Sequence, residues 1–218
     1  ELILFAVSIL PVFLIGLFIY KKDKEKEPWK LLLTLFVGGI IACIPAIILE
    51  TVIGTFFKEE ASLNLVELGV YVLIDIALVE EVCKWFVAYK FSYNEENFDF
   101  IYDMIVYSVF VALGFACLEN LLYVNSYGIG TGFFRAILAV PGHACDGIYM
   151  GYFLGLAKMN SVNNKKSLSR KYIILSLIVP ILTHWIYDYC LFSGYIIFLI
   201  IFLIFVIVDY IFAFKRIK

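Results

Sequence analysis

Seven apolar stretches, each about 20 residues long, constrain the fold of this chain more than any other feature of its sequence. At about 1.5 Å per residue, such a stretch crosses a hydrocarbon core about 30 Å thick, where only a helix satisfies its own backbone groups. The chain is also 63% hydrophobic, well above the usage of soluble domains. The sequence therefore predicts an all-α, polytopic membrane bundle of about seven transmembrane helices, near 2–20, 31–54, 67–89, 100–124, 133–157, 172–192 and 195–214.

The polar connections between these stretches are short, and the longest, at 158–171, is too small for a soluble domain. We therefore expect a single transmembrane domain over 1–218. The first stretch starts at Glu1 without a basic segment and lacks a small-residue cleavage site. It is expected to be a mature helix rather than a signal peptide.

The lysine and arginine residues are distributed unevenly between successive connections. With the N-terminus outside, 14 of the 17 lie on the cytoplasmic side, whereas Lys58 and Arg135 lie outside and Lys84 falls within a span. The positive-inside rule therefore predicts an external N-terminus and a cytoplasmic C-terminus. The net charge of -2 gives no indication of nucleic acid binding.

Charged and strongly polar residues within the predicted spans form a short set. Such residues face protein or water, because exposing one to lipid at a helix centre costs about 2.5 to 3.5 kcal/mol. The set contains both histidines of the chain and therefore marks the candidate functional site. In chain order its members are Asp75, Glu80, Glu81, Lys84, Asp103, Glu119, Asn120, His143, Asp146, His184, Asp188 and Asp209.

Helical spacing groups several of these residues. Lys84 follows Glu80 by four positions and Glu81 by three, so its ammonium can reach either carboxylate. Asp188 follows His184 by four positions and can orient the imidazole. One lysine does not neutralise several carboxylates, and adjacent carboxylates in a low-dielectric site are typical of acid–base chemistry.

Depth along the spans gives a second criterion. Counted from the predicted cytoplasmic ends, Glu80, His143, His184 and Glu119 converge on the middle and outer half of the membrane. Glycines recur every four residues after His143, at positions 147, 151 and 155, a pattern that lets another helix backbone approach closely. The fifth span is therefore expected to pack tightly and to point His143 into protein.

Four aspartates are less clearly part of this convergence. Asp103 is predicted to be a helix-end residue near water on the cytoplasmic side, and Asp209 a lone packing or interface residue in the same region. Asp75 precedes Glu80 by five residues and is expected on a different face of the helix. Asp146 lies nearly one turn beyond His143, as its partner or as a residue lining the site.

Glutamates and histidines that converge in a wet cavity can activate water for hydrolysis. The same residue types can also hold a catalytic zinc ion, although no HExxH motif is present. No GxSxG motif supports a serine nucleophile. Two other classes stay open: a proton-coupled transporter, although no repeated halves are visible, and a catalytically silent scaffold that binds other membrane proteins.

The motifs that carry these residues are EEVCK at 80–84, GFACLEN at 114–120, RAILAVPGHACDGIYMGYFLG at 135–155 and HWIYD at 184–188. In this order, on four successive predicted spans, they resemble the motif series of the PrsW family of bacterial membrane proteases. That family is related to the CAAX prenyl proteases and to bacteriocin-processing enzymes. The motif-bearing core helices cover about 67–192.

The resemblance implies a multi-pass endopeptidase of the bacterial cell membrane, in which Glu80 activates water and Glu81 supports it. His184 and Asp188 would stabilise the oxyanion or orient the site, with Lys84 and Asn120 as further supporting residues. The CAAX branch has the motifs EExxxR, FxxxH and HxxxN, whereas this chain has Lys84 after two residues, Glu119 in place of the histidine and Asp188 in place of the asparagine. Glu119 or His143 could therefore assist Glu80.

The resemblance also implies a partner, a membrane-anchored anti-sigma factor or a similar single-span protein that receives its first, site-1 cut here. For cofactors, the sequence favours none, because the Lys84 cation competes with a divalent ion for the carboxylates. The alternative is a zinc-dependent protease with Glu119, His143 and His184 as ligands. The lipid bilayer is the remaining expected partner.

Overall fold

The computed structural model describes residues 2–57, 59, 62–95 and 98–217, with side chains from residue 6 onward. Over these residues it is helical and contains no β-strand. A six-residue π-helical segment, Val72–Ala77, joins α3 to α4. The α-helices are α1 (Leu2–Lys22), α2 (Trp29–Gly54), α3 (Leu65–Tyr71), α4 (Leu78–Ser92), α5 (Ile101–Tyr127), α6 (Ile129–Ile137), α7 (Ala139–Val162), α8 (Lys166–Phe192) and α9 (Ile196–Arg216).

The all-helical prediction is confirmed over the described residues, and each predicted span coincides with helical structure. The third span comprises α3, the π-helical segment and α4, and the fifth overlaps both α6 and α7. Four helices, α2, α5, α8 and α9, are long and apolar enough to cross a membrane. The span count of seven and the orientation stay predictions, and Lys58 and Lys218 of the charge count lie outside the described residues.

Helix α5 forms the centre of the bundle, and glycines allow α2 to approach it closely. A Cβ atom on Gly39 of α2 would lie 2.0 Å from the Val111 carbonyl oxygen of α5. In the reciprocal contact, a Cβ on Gly114 of α5 would lie 2.0 Å from the Phe36 carbonyl oxygen of α2. No side chain fits in either place, so these two glycines fix how closely the helices pack.

The glycine stripe of α7 packs against the same central helix, as the sequence predicted. A Cβ on Gly151 would lie 2.3 Å from the Met104 carbonyl oxygen, and one on Gly147 would lie 2.9 Å from the Val109 Cα. The backbones of α5 and α7 are therefore in direct contact. This packing brings His143 of α7 beside Glu119 of α5.

The π-helical segment changes which residues share a face of the third span. In a π-helix the backbone hydrogen bond joins residues i and i+5, so residues five apart lie on the same side. Asp75 and Glu80 consequently line the same cavity. The prediction that they lie on different faces is wrong, because it assumed an uninterrupted α-helix.

Carboxylates gather where the connection between α1 and α2 meets α5. Asp103 accepts hydrogen bonds from the backbone N–H groups of Asp99 and Phe100, both at 2.7 Å, so its predicted position at a helix end is confirmed. The prediction that it lies near water is wrong, because the connection between α1 and α2 packs over it and leaves it buried. The Tyr107 hydroxyl donates a hydrogen bond to Glu27, which lies in the connection. Burial, together with the Asp103 carboxylate, raises the pKa of Glu27 to about 7.

Candidate active site

A cavity of about 680 Å³ opens between the helices and collects most of the predicted site residues. Residues of α2, α3, the π-helical segment and α4 through α9 contribute to its wall. The predicted convergence of residues from separate spans is therefore present in the structure. Of the predicted set, the wall includes Asp75, Glu80, Glu119, His143, Asp146, His184, Asp188 and Asp209.

The ammonium group of Lys84 lies at the centre of the site and contacts three of its side chains. It donates hydrogen bonds to Glu80 Oε2 at 2.9 Å and to Glu81 Oε1 at 2.7 Å, and it lies 3.0 Å from His143 Nδ1. The ammonium also lies 4.3 Å from the centroid of the Phe115 ring. Lys84 is fully buried, and its ammonium contacts Glu80 and Glu81, the two carboxylates that the spacing predicted.

The two adjacent glutamates have different surroundings. Glu80 lines the cavity, and its Oε1 accepts no hydrogen bond from the described residues. Glu81 is fully buried behind the cavity wall, where Oε1 binds both Lys84 and His184. Glu80 therefore has access to a substrate, whereas Glu81 positions the two cationic partners.

His184 is held between two carboxylates. Its Nδ1 lies 2.9 Å from Glu81 Oε1, and its Nε2 lies 3.1 Å from Asp188 Oδ2. A neutral imidazole donates only one hydrogen bond, so occupation of both contacts requires the doubly protonated ring. Nδ1 also lies 4.0 Å from Glu80 Oε2, which places the imidazolium charge beside the glutamate that lines the cavity.

A second cluster of contacting residues in the site consists of Glu119, His143 and Arg135. The Nε2 atom of His143 lies 2.8 Å from Glu119 Oε2, and the same oxygen lies 2.8 Å from Arg135 Nη2. Asn120 accepts a hydrogen bond from Arg135 Nε at 3.0 Å and donates one to the Ser8 carbonyl oxygen at 3.0 Å. Asn120 thus orients the arginine and ties α5 to α1.

Sequence reasoning missed Arg135 and Glu50. Arg135 was predicted at the external start of the fifth span without a role in the site, but it lies on α6 and lines the cavity, where it pairs with Glu119. Glu50, on α2, also lines the cavity. The signal for Glu50 was available, since an acidic residue inside an apolar span is unusual.

Two further aspartates also lie on the cavity wall. Asp146 accepts a 2.6 Å hydrogen bond from the Thr183 hydroxyl and lines the cavity, as one of its two predicted roles required. Asp209 lines the same cavity and accepts a 2.9 Å hydrogen bond from the Tyr149 hydroxyl. The Tyr149 contact fits the predicted role of Asp209 as a packing residue, whereas its place on the cavity wall was not predicted, and its depth in the membrane stays a prediction.

The Lys84 ammonium competes with a metal ion for the candidate ligands of this site. Three groups of ligand atoms lie within 4.8 Å of one another: Glu80 with Glu81 and His184, Glu80 with Glu119 and His143, and Glu81 with His143 and Asp146. The predicted trio of Glu119, His143 and His184 is not among those found in the described part of the chain. In each group, the Lys84 ammonium already occupies lone pairs of at least one ligand residue, at 2.7 to 3.0 Å. A divalent cation would have to displace that fixed positive charge.

A helical bundle with apolar helices of membrane-spanning length, whose cavity gathers carboxylates and histidines around a buried lysine, has the features of a membrane enzyme. Within that class, the model of the PrsW family of intramembrane metalloproteases, as that family is described, matches residues 27–213. The chain belongs to the PrsW family of membrane proteases.

Curated relatives agree over nearly the whole chain. The Protease PrsW of Oceanobacillus iheyensis is 36% identical over 98% of this chain and 94% of its own length. That of Clostridioides difficile is 34% identical over 95% of this chain and 87% of its own length. That of Bacillus subtilis is 32% identical over 88% of this chain and 84% of its own length. No solved structure matches the chain significantly.

Proposed function

We propose that this membrane protease is an endopeptidase that hydrolyses its substrate with water activated by Glu80. The observation that carries this proposal is the position of the Glu80 carboxylate. Oε2 is fixed by Lys84 at 2.9 Å, while Oε1 accepts no hydrogen bond from a described residue and the side chain lines the cavity. A carboxylate that is oriented on one side and open on the other is suited to bind and deprotonate water.

The chemical step conserves protons. Glu80 accepts one proton from water, and the hydroxide adds to the carbonyl carbon of the scissile peptide bond. When the tetrahedral intermediate collapses, the C–N bond breaks and the proton on Glu80 moves to the leaving amine. Glu80 thus returns to its carboxylate form and acts as base and then as acid.

His184 supplies positive charge for the oxyanion. Its ring lies between Glu81 and Asp188, and Nδ1 is 4.0 Å from Glu80 Oε2. The charge that develops on the carbonyl oxygen next to Glu80 therefore forms beside an already oriented imidazolium. Asp188 keeps the ring in place by holding Nε2.

The second cluster, which consists of Glu119, His143 and Arg135, assists Glu80 indirectly, through the contact of His143 with Lys84. His143 lies 3.0 Å from the Lys84 ammonium through Nδ1 and 2.8 Å from Glu119 through Nε2. Because the ammonium donates to Nδ1, the His143 proton resides on Nε2 and is donated to Glu119. The second cluster thereby orients the neutral His143 ring, which in turn holds the Lys84 ammonium against Glu80.

The family assignment supports a membrane-anchored protein as the substrate class, and we propose a single-span protein such as an anti-sigma factor, cut first by this enzyme. The catalytic type that we propose is metal-independent, in contrast to the description of the family as metalloproteases. The support is the Lys84 ammonium, which lies 2.7 to 3.0 Å from Glu80, Glu81 and His143 and repels a divalent cation from the same ligands.

The test is mass-spectrometric detection of new peptide ends after the purified full-length protein has been mixed with candidate single-span proteins in lipid nanodiscs. Glu80→Gln and His184→Ala should each abolish the new ends while leaving a folded protein. Asp209→Asn is the matched control, because the amide retains an acceptor for Tyr149 on the same cavity wall. It should cut at nearly the rate of the original protein.

Two results would contradict the proposal. Ends that persist in Glu80→Gln would exclude Glu80 as the base. A dead Asp209→Asn variant would place the reacting group elsewhere in the cavity. A flux assay in sealed liposomes tests the transporter alternative, and proton-coupled uptake without any cleavage would favour it.

A further inference from the structure

Two carboxylates at the α2 side of the cavity take no part in the hydrolytic centre. Asp75 lies in the π-helical segment and Glu50 on α2, and both line the cavity. Asp75 Oδ2 lies 3.6 Å from the position that a Cβ atom on Gly54 would occupy, so its carboxyl packs against the last turn of α2. We call Glu50 and Asp75 the acidic arm.

The acidic arm has unused hydrogen-bonding capacity. Asp75 is only 2% exposed, yet its Oδ1 has no hydrogen-bond partner among the described residues. The Tyr71 hydroxyl is hydrogen-bonded to the Asp75 carboxyl. Glu50 forms no hydrogen bond or ion pair with any described side chain. A buried acceptor without a donor is costly, and because Asp75 lies on the cavity wall, a rotation of its carboxyl group would let a ligand in the cavity satisfy it.

The two cationic side chains nearest the site, Lys84 and Arg135, already form ion pairs with other carboxylates. Lys84 contacts Glu80 and Glu81, and Arg135 contacts Glu119 at 2.8 Å. Within the described chain, no cationic side chain is paired with the acidic arm. A positively charged ligand group would therefore gain both the missing hydrogen bond and a charge partner.

We propose that Glu50 and Asp75 form a substrate subsite that accepts the ammonium or guanidinium group of a lysine or arginine side chain. This inference rests on the proposed function, because it assigns the cation to the protein being cut. An anionic group such as a phosphate is repelled by the same two carboxylates.

The position of the acidic arm sets the distance between the basic residue of the substrate and the scissile bond. Asp75 precedes Glu80 by five residues, which corresponds to roughly 7 Å along the helix axis. An extended substrate covers that distance in about two residues. The basic side chain therefore lies within about three residues of the bond that Glu80 attacks.

Binding tests the subsite without requiring cleavage. The probe is a short fluorescent peptide that contains one arginine among alanine and serine residues. The control peptide has the same sequence except that citrulline, the uncharged isostere of arginine, replaces the arginine. Both are titrated onto full-length Glu80→Gln protein in nanodiscs. We expect the arginine peptide to bind roughly tenfold more tightly than the citrulline peptide. The preference should disappear in Glu80→Gln/Asp75→Asn and persist in Glu80→Gln/Asp209→Asn.

Glu50→Gln provides a second variant in case Asp75→Asn does not fold, and it should weaken the same preference. Equal binding of the two peptides to the Glu80→Gln protein would overturn the inference. So would an arginine preference that survives both Asp75→Asn and Glu50→Gln.

Cleavage mapping separates this inference from the proposed function. With the original protein, lysine or arginine should be enriched within three residues of the new peptide ends, and Asp75→Asn should remove that enrichment. Glu80-dependent cutting without such enrichment would reject the subsite and leave the protease intact. Arginine-selective binding without any Glu80-dependent cutting would reject the proposed function and leave the cation site.

Discussion

Replacement of Lys84 by methionine tests whether the buried ion centre holds the bundle together. Methionine has nearly the same length but no charge, so Lys84→Met keeps most of the packing and removes the partner of Glu80 and Glu81. The ammonium contacts both carboxylates at 2.9 and 2.7 Å, and Glu81 is fully buried. The variant therefore leaves two adjacent carboxylates with His184 as their one remaining cationic neighbour among the described residues.

The magnitude follows from the burial of the pair. Removal of one partner from a buried ion pair costs about 3 to 5 kcal/mol, because the remaining charge stays in a low-dielectric site. At about 1.4 kcal/mol per factor of ten, the folding equilibrium falls by a factor between roughly 100 and several thousand. We expect a loss of this size in the free energy of unfolding, together with loss of proteolysis.

The assay is an equilibrium titration with sodium dodecyl sulfate in mixed micelles, followed by intrinsic tryptophan fluorescence. Lys90→Met is the matched control, because Lys90 lies on the same helix and is exposed. It should change the free energy of unfolding by no more than about 0.5 kcal/mol. The double variant Lys84→Met/Glu81→Gln should recover about 1 to 3 kcal/mol, since it also removes one uncompensated charge.

Equal stability of Lys84→Met and Lys90→Met would refute this reasoning. Failure of Glu81→Gln to restore any stability would show that the Lys84 contact with Glu81 does not contribute as the geometry requires.

Three further predictions concern the architecture. Reporter fusions after Phe57 and after Asn164 should report opposite sides of the membrane, and the same side for both would contradict the seven-span prediction. Gly151→Ala should lower the free energy of unfolding by about 1 to 3 kcal/mol, because its Cβ meets α5 backbone at 2.3 Å. Gly130→Ala, which meets nothing within 4 Å, is its control, and an equal effect of both would contradict direct backbone packing. The folded-state pKa of Glu27 is raised from 4.5 to about 7, so stability should fall as the pH rises from about 4.5 to 7 and then level off. Glu27→Gln should flatten that part of the pH profile, and an unchanged profile would exclude Glu27 as its source.

The sequence predicted the architecture well, because hydrophobic length and helical spacing are local properties. Apolar runs located the helices, the i, i+4 spacing located the contact of Glu80 with Lys84 and that of His184 with Asp188, and the glycines of α7 predicted its close packing. Each of these features depends on residues within a few turns of one another.

Contacts between helices were not predictable in the same way. The 2.9 Å contact of Glu81 with His184 joins positions 103 residues apart, and the pairing of Glu119 with Arg135 depends on the break between α6 and α7. The π-helical segment that moves Asp75 to the side of Glu80 has no simple signature in the sequence. The place of Asp209 on the cavity wall was not predicted, because its position along α9 does not show which neighbouring helices it faces.

Metal content measured together with activity tests the central claim most directly. The full-length protein is purified without added metal, its metals are quantified by inductively coupled plasma mass spectrometry, and its cleavage rate is measured before and after prolonged chelation. Activation of water by Glu80 beside the Lys84 cation predicts no stoichiometric metal and an unchanged rate. About one zinc ion per chain, with activity lost on its removal and restored on its return, would contradict the account and make Glu80, Glu119 and His143 its candidate ligands.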